Sequence, residues 1–227
     1  MTLGDGAPAV VLEAGRNNTS DSWSRVMPLL AAQVRVAAYD RAGLGGSPPA
    51  GDSPVVERQL SDLTAVITGL EAGPCVLAGQ SWGAVLVRLL AYRRPDLVAG
   101  LVLVDPAVEQ MASPVFWPLR WALRTALPSH EDELSSADTD AAMADLRRLR
   151  ATRPLPDVPV VVLSAGLGRP RWARRYFTGL QAGLAAGSPR GRHAVVSGAG
   201  HDIPEEQPVT VAEAILEVVA QARVGHR

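Results

Sequence analysis

The chain has 227 residues, 47% apolar and 20% charged, and its 22 basic and 23 acidic side chains leave a formal net charge of −1. That length suits one domain, able to bury roughly three quarters of the surface its unfolded chain exposes, and the composition is globular rather than disordered. The near-neutral balance leaves no electrostatic footprint for nucleic acid or an anionic membrane.

The opening residues, MTLGDGAPAVVLEAG, lack a basic leader and a long apolar segment, so they do not read as a signal peptide. No run of about 18 apolar residues occurs that would span a membrane, and a cytoplasmic protein is the expectation. The first strand is AVVLEA (9–14) and the second VRVAAY (34–39), each nearly all apolar as in a parallel sheet covered on both faces. Asp40 and Arg41 follow the second strand, where a side chain that ties down the glycine-rich loop is a better reading than catalysis. In 57–70, Leu60, Leu63, Ile67 and Leu70 share one helical face.

The third strand, CVLAG (75–79), contains the only cysteine. Cys75 can form no internal disulfide and reads as a small core residue. GQSWG (79–83) comes next, then the helix-like run AVLVRLLAYRR. A strand followed by G-x-S-x-G and a helix is the context that holds a serine exposed on a sharp turn, here Ser81. Gly79 and Gly83 leave room for that turn. The N–H of Trp82, at the helix start, would face an oxyanion formed on Ser81.

LVLVD (101–105) is the fourth strand and VPVVVLS (158–164) the fifth. About fifty residues separate them, too many for one crossover helix. The interval reads as a helical cap, 106–157, with one helix near 114–127 and another near 138–152 that turns Met143, Leu146 and Leu149 inward. Phe116, Trp117 and Trp121, at helical spacing, read as packing cap against core near the pocket mouth, where the two tryptophans are candidate substrate contacts. Arg120 and Arg124, and the run RPRWARR (169–175) with Arg169 and Arg171, read as solvated surface. HAVVSG (193–198) is the sixth strand, and a last helix over 209–222 buries Val211, Ala212, Ile215, Leu216 and Val219. The glycine-flanked loop between them carries His201, the best-placed base; His130, His193 and His226 are weaker candidates. Strand–helix alternation of this kind is an α/β fold with a mostly parallel sheet. Metal spacings and a dinucleotide glycine fingerprint are missing, and no cofactor is expected.

Four segments, VVLEAG, VAAYDRAGLGGS, LAGQSWGA and SGAGHDIPEEQPVTVAEAILEVV, resemble in order and spacing the α/β-hydrolase superfamily. The resemblance covers nearly the whole chain. It implies Ser81 as nucleophile, His201 as base, and an oxyanion hole made by the N–H groups of Trp82 and Arg16. Arg16 follows Ala14-Gly15, where the family usually has His-Gly. The triad acid of the family most often follows the strand that here reads VPVVVLS, but the next residues, AGLGRPRW, include no carboxylate. The other known location, as in some haloalkane dehalogenases, is the end of the preceding strand, which gives Asp105, with Glu109 in reserve. The chain begins near the family's third strand, so about six strands are expected, with 34–39 an exposed edge that needs covering. The implied activity is a serine hydrolase acting on a small-molecule ester or thioester, as a monomer or homodimer. A cyclase or lyase of the same fold, or a ligand-binding receptor, is the alternative.

Overall fold

The structure, a computed structural model, describes residues 1–49, 55–112 and 134–225. All six predicted strands are present, as β2 (Val10–Glu13), β3 (Val36–Ala38), β4 (Cys75–Gln80), β5 (Val98–Val104), β6 (Val160–Ala165) and β7 (Gly191–Val196). A seventh, β1 (Thr2–Leu3), precedes them. The sheet order is β1-β3-β2-β4-β5-β6-β7, parallel except for β1. β1 runs antiparallel to β3, pairing Thr2 with Ala37 and Leu3 with Val36, and it supplies the cover that the edge at 34–39 needs. Two residues are too few to show any sequence period, which is why six strands were legible and the seventh was not.

Alternation along the strands divides the core. Val11, Leu77, Leu101, Leu103 and Val162 face one side. There they meet α2 (Val55–Gly69), α3 (Gly83–Arg93), α4 (Ser136–Thr152) and the C-terminal part of α5 (Arg171–Ala185). Val10, Leu12, Val76, Val102, Val161 and Leu163 face the other, against α1 (Met27–Ala31) and α7 (Pro208–Gly225). The short α6 (Ile203–Glu206) buries Ile203 on that second side. Because both faces are covered, the central strands are apolar at nearly every position instead of alternating with polar ones, Glu13, Gln80 and Ser164 being the exceptions at or near their carboxyl ends. α3 is buried from Gly83 to Tyr92, lying on β4 with α2 and α4 beside it, which accounts for its continuous apolar run.

The predicted helices at 57–70, 138–152 and 209–222 are α2, α4 and α7, with Leu60, Leu63, Ile67, Met143, Leu146, Leu149, Val211 and Ile215 all buried. α4 opens on a capping box: Ser135 Oγ accepts from Asp138 N–H at 3.1 Å, and Asp138 Oδ2 accepts from Ser135 N–H at 3.0 Å. The other cap helix, predicted near 114–127, lies outside the described residues. Among the described residues, no helix is long and apolar enough to cross a membrane.

The central sheet carries the fold's stability. Leu77→Ala, in the middle of β4 and fully buried, is expected to cost about 2–5 kcal/mol in urea unfolding, whereas Val195→Ala on the open β7 edge changes it by less than about 0.5 kcal/mol.

Candidate active site

The carboxyl ends of the parallel strands gather the predicted residues. Ser81 directly follows β4 with φ of 52°, in the left-handed region that a side chain disfavours. Such a conformation costs about 1–3 kcal/mol and persists only where its surroundings enforce it. Here β5 and the loop after it do so. Ser81 N–H donates to Val104 O at 2.9 Å, and Ser81 O accepts from Ala107 N–H at 3.2 Å. A Cβ on Gly79 would sit 2.5–2.6 Å from the backbone of Gly83 and Ala84, and one on Gly83 would collide with the carbonyl oxygens of Glu13 and Ala14. Both glycines of GQSWG are therefore required by close backbone approach, as the motif predicts.

Asp105 directly follows β5, also in the left-handed region at φ 39°, with its side chain fully buried. His201 Nδ1 lies 2.6 Å from Asp105 Oδ2. A carboxylate there assigns the ring proton to Nδ1 and leaves Nε2 as a proton acceptor, a tautomer inferred from the hydrogen-bond network. The imidazole is 47% exposed and so faces out of the sheet end. Gln80 ties its loop to the elbow: Nε2 donates to His201 O and to Asp202 Oδ1, each at 3.1 Å. Gly200 N–H is held by Glu206 at 3.0 Å. Ser81 and His201 make no hydrogen bond to one another, and such contacts commonly tighten only when substrate binds.

Three further groups hold Asp105. Gln181 Nε2 donates to Oδ1 at 2.9 Å and Ala165 N–H at 3.3 Å. Arg169 grips both oxygens, Nη2 to Oδ2 at 2.7 Å and Nη1 to Oδ1 at 3.2 Å, with its guanidinium 5.3 Å from the centre of the Phe177 ring. Burial pushes this carboxyl up, but the hydrogen bonds from His201 and Arg169 and the charge of Arg169 outweigh it, and the group is held well below the usual carboxylate range. The sequence reading placed Arg169 on the surface; the structure puts it on the acid. The available signal was its position, in the loop where the family's carboxylate usually stands. Arg171, by contrast, is an exposed residue of α5.

Glu109, the reserve acid, is buried against Arg88 and does not approach His201. Asp40 accepts from Ser20 N–H at 2.8 Å and Gly46 N–H at 2.9 Å, so it braces the glycine-rich loop as expected. Arg41 turns away from that loop. It donates to Glu13 Oε1 at 2.6 Å, Ala14 O at 2.8 Å and Gly15 O at 2.6 Å. Tyr39 hydroxyl donates to the other Glu13 oxygen. Burial, then the Glu13 carboxylate, raises the Tyr39 phenol well above its ordinary range and keeps it a donor.

The backbone N–H groups of Arg16 and Trp82, predicted as oxyanion donors, have no acceptor among the described residues. The Arg16 side chain reaches across to the start of α4, donating to Thr139 Oγ1 at 2.6 Å and Leu134 O at 3.2 Å. The Trp82 indole donates to Gln59 Oε1 at 3.0 Å. His193 sits within the sheet, its Nε2 2.8 Å from Ser164 Oγ, and burial lowers it below its ordinary range. Burial likewise pushes the Cys75 thiol up to about 11. Phe116, Trp117, Arg120, Trp121, Arg124, His130 and His226 lie outside the described residues. Among the described residues, no group of three or more His, Cys, Asp or Glu could hold a metal ion.

A family model for the alpha/beta hydrolase fold matches residues 8–188. The chain is 26% identical over 219 residues to the uncharacterized protein YqjL of Bacillus subtilis (strain 168), which covers 95% of this chain and 85% of that one. It is 28% identical over 237 residues to a pimeloyl-[acyl-carrier protein] methyl ester esterase of Edwardsiella ictaluri (strain 93-146), covering 88% of each. With several other relatives the alignment spans 40% or less of their length. A thermophilic esterase from Thermogutta terrifontis, solved with malate bound, superposes with a TM-score of 0.68 at 21% identity. That match covers 98% of this chain and 92% of the esterase, and at such identity it speaks for the fold alone.

The depressed Asp105 carboxyl links stability to pH. A group whose folded pKa lies below its unfolded value stabilises fully above the unfolded value, near 3.9, and loses that contribution as pH falls toward the folded one. In urea unfolding, the stability gap between wild type and Asp105→Asn is expected to be constant from about pH 7 to pH 5 and to shrink below about pH 4. A gap unchanged down to about pH 2.5 would mean that the carboxylate is not held in this way.

Proposed function

The chain belongs to the α/β-hydrolase fold family, as a hydrolase enzyme, and on that premise we propose that it cleaves a carboxylic ester or thioester through a covalent acyl-enzyme on Ser81. The observation that carries this reading is the 2.6 Å contact between His201 Nδ1 and Asp105 Oδ2, in a loop that Gln80 ties to the serine turn. A buried carboxylate holding an imidazole by Nδ1 leaves Nε2 to take a proton, and the adjoining strand end presents a hydroxyl that needs one removed.

In the proposed sequence, His201 Nε2 accepts the Ser81 proton as Oγ attacks the acyl carbon. The carbonyl oxygen becomes an oxyanion received by the N–H groups of Trp82 and Arg16. The imidazolium then returns the proton to the departing alkoxide or thiolate, leaving an ester on Ser81. A water molecule, deprotonated by the same His201, releases the acid and restores the hydroxyl. Asp105 keeps the imidazole in its tautomer and offsets the charge of the imidazolium without itself taking the proton. Every step uses side chains and backbone N–H groups of this chain together with water, and none calls for a cofactor. The insertion at 106–157 is the proposed cap of the acyl pocket, with Trp117 and Trp121 as candidate substrate contacts and Arg16 joining its α4 to the oxyanion loop.

Turnover of short-chain p-nitrophenyl esters tests the assignment. Ser81→Ala and His201→Ala are expected to lose nearly all activity, His193→Ala to keep it, and Asp105→Asn to slow turnover by about 10⁴ while remaining folded. Wild-type rates in Ser81→Ala would remove the nucleophile from the scheme.

A further inference from the structure

Beside the elbow lies a buried ion pair that the proposed reaction does not use. Glu13 and Arg41 are each 1% exposed and meet at 2.6 Å. A buried pair is weak evidence for stability, since desolvation offsets much of the attraction, so its position calls for another account. The guanidinium makes two more bonds, to the carbonyl oxygens of Ala14 and Gly15. The Gly15 oxygen belongs to the same peptide group as the Arg16 N–H. That peptide is trans, so its C=O and N–H point in opposite directions within one plane. Asn18 N–H holds the same oxygen at 3.2 Å. Fixing the oxygen fixes the N–H, and that N–H has no acceptor among the described residues.

We infer that Arg41 is a positioning residue for the oxyanion hole: anchored by Glu13, its guanidinium holds the Gly15 carbonyl and thereby aims the Arg16 N–H at the developing oxyanion. This rests on the serine mechanism proposed above. Two effects follow. The donor is oriented before the reaction, so none of its alignment has to be achieved in the transition state. A charge-assisted bond to the carbonyl oxygen also draws electron density from the shared peptide, and such cooperativity strengthens the N–H as a donor by about 10–30%. The same backbone touches the elbow, because Gly83 packs against the carbonyl oxygens of Glu13 and Ala14. Arg41 therefore sets the oxyanion loop against the turn that bears Ser81 and Trp82.

Arg41→Lys is the first test, because an ammonium keeps the charge opposite Glu13 but lacks the planar fork that spans two carbonyls and a carboxylate. The variant is expected to unfold in urea as a cooperative native protein, to lose about 10–100-fold in kcat and to keep KM within about twofold. A difference infrared spectrum of the acyl-enzyme, made with a ¹³C-carbonyl ester, is expected to show the acyl stretch at higher frequency than in wild type, as its hydrogen bonding weakens. If Arg41→Lys does not fold, the double variant Glu13→Gln/Arg41→Gln, which removes both charges together, carries the same measurements. A folded variant with wild-type kcat and stretch, or a loss confined to KM, overturns the role given to Arg41. A wild type that forms no acyl-enzyme on Ser81 overturns the serine mechanism itself, so the two failures are distinguishable.

Discussion

The turn between β4 and α3 is the constraint on which the rest of the molecule depends. It closes only because the backbones of Gly79 and Gly83 approach their neighbours with no room for a Cβ. Ser81 is held in a left-handed conformation because both its backbone polar groups are bonded to β5 and the loop after it. That single closure brings four parts together. Gly83 seats the turn on the end of β2, Ala107 joins it to the segment that carries Asp105 just after β5, and Gln80 reaches to the histidine loop. α3, buried along almost its whole length, fixes the turn to the core below. The strain at Ser81 is sustained by packing that a loosely built sheet could not supply.

Arginines paired with buried carboxylates recur around this turn. Arg41 lies with Glu13 under the loop after β2, Arg88 with Glu109 under the first residues after β5, and Arg169 with Asp105 at the candidate triad. Each also brings its charge to a backbone or side chain that has to be held in place. Arg41 takes the carbonyl oxygens of Ala14 and Gly15, and Arg88 reaches Ala107 O at 3.4 Å. Arg169 shares the carboxylate that holds His201. A guanidinium suits such work because its donors lie in one plane, always charged, and can serve several acceptors at once.

Much of this was readable from the sequence, for physical reasons that differ by element. The strands stood out because a sheet covered on both faces admits apolar residues at every position. Asp105 came from the family resemblance, which offers the end of this strand as the alternative place for the acid. Topology added only that the adjoining strand end opens on the same side of the sheet as the loop bearing His201. Glu109, only four residues later, faces Arg88 instead, and nothing in its spacing distinguished the two. Arg169 was misread because its long side chain carries a partly exposed loop residue onto the buried Asp105 carboxylate, which no period records. α5 was missed as a helix although Ala173, Phe177, Leu184 and Gln181 fall near one face; the polar Gln181 interrupts the apolar pattern at the position that reaches Asp105. β1 was too short to read.

The central claim is that Ser81 is an activated nucleophile, and covalent trapping tests it most directly. A fluorophosphonate reacts with a serine only when a base removes its proton and donors receive the negative oxygen on phosphorus. Intact-mass measurement followed by peptide mapping of the treated, folded protein is predicted to show a single adduct, located on Ser81 in the peptide containing GQSWG. Folded protein that stays unmodified, or carries the adduct on another residue, would contradict the account.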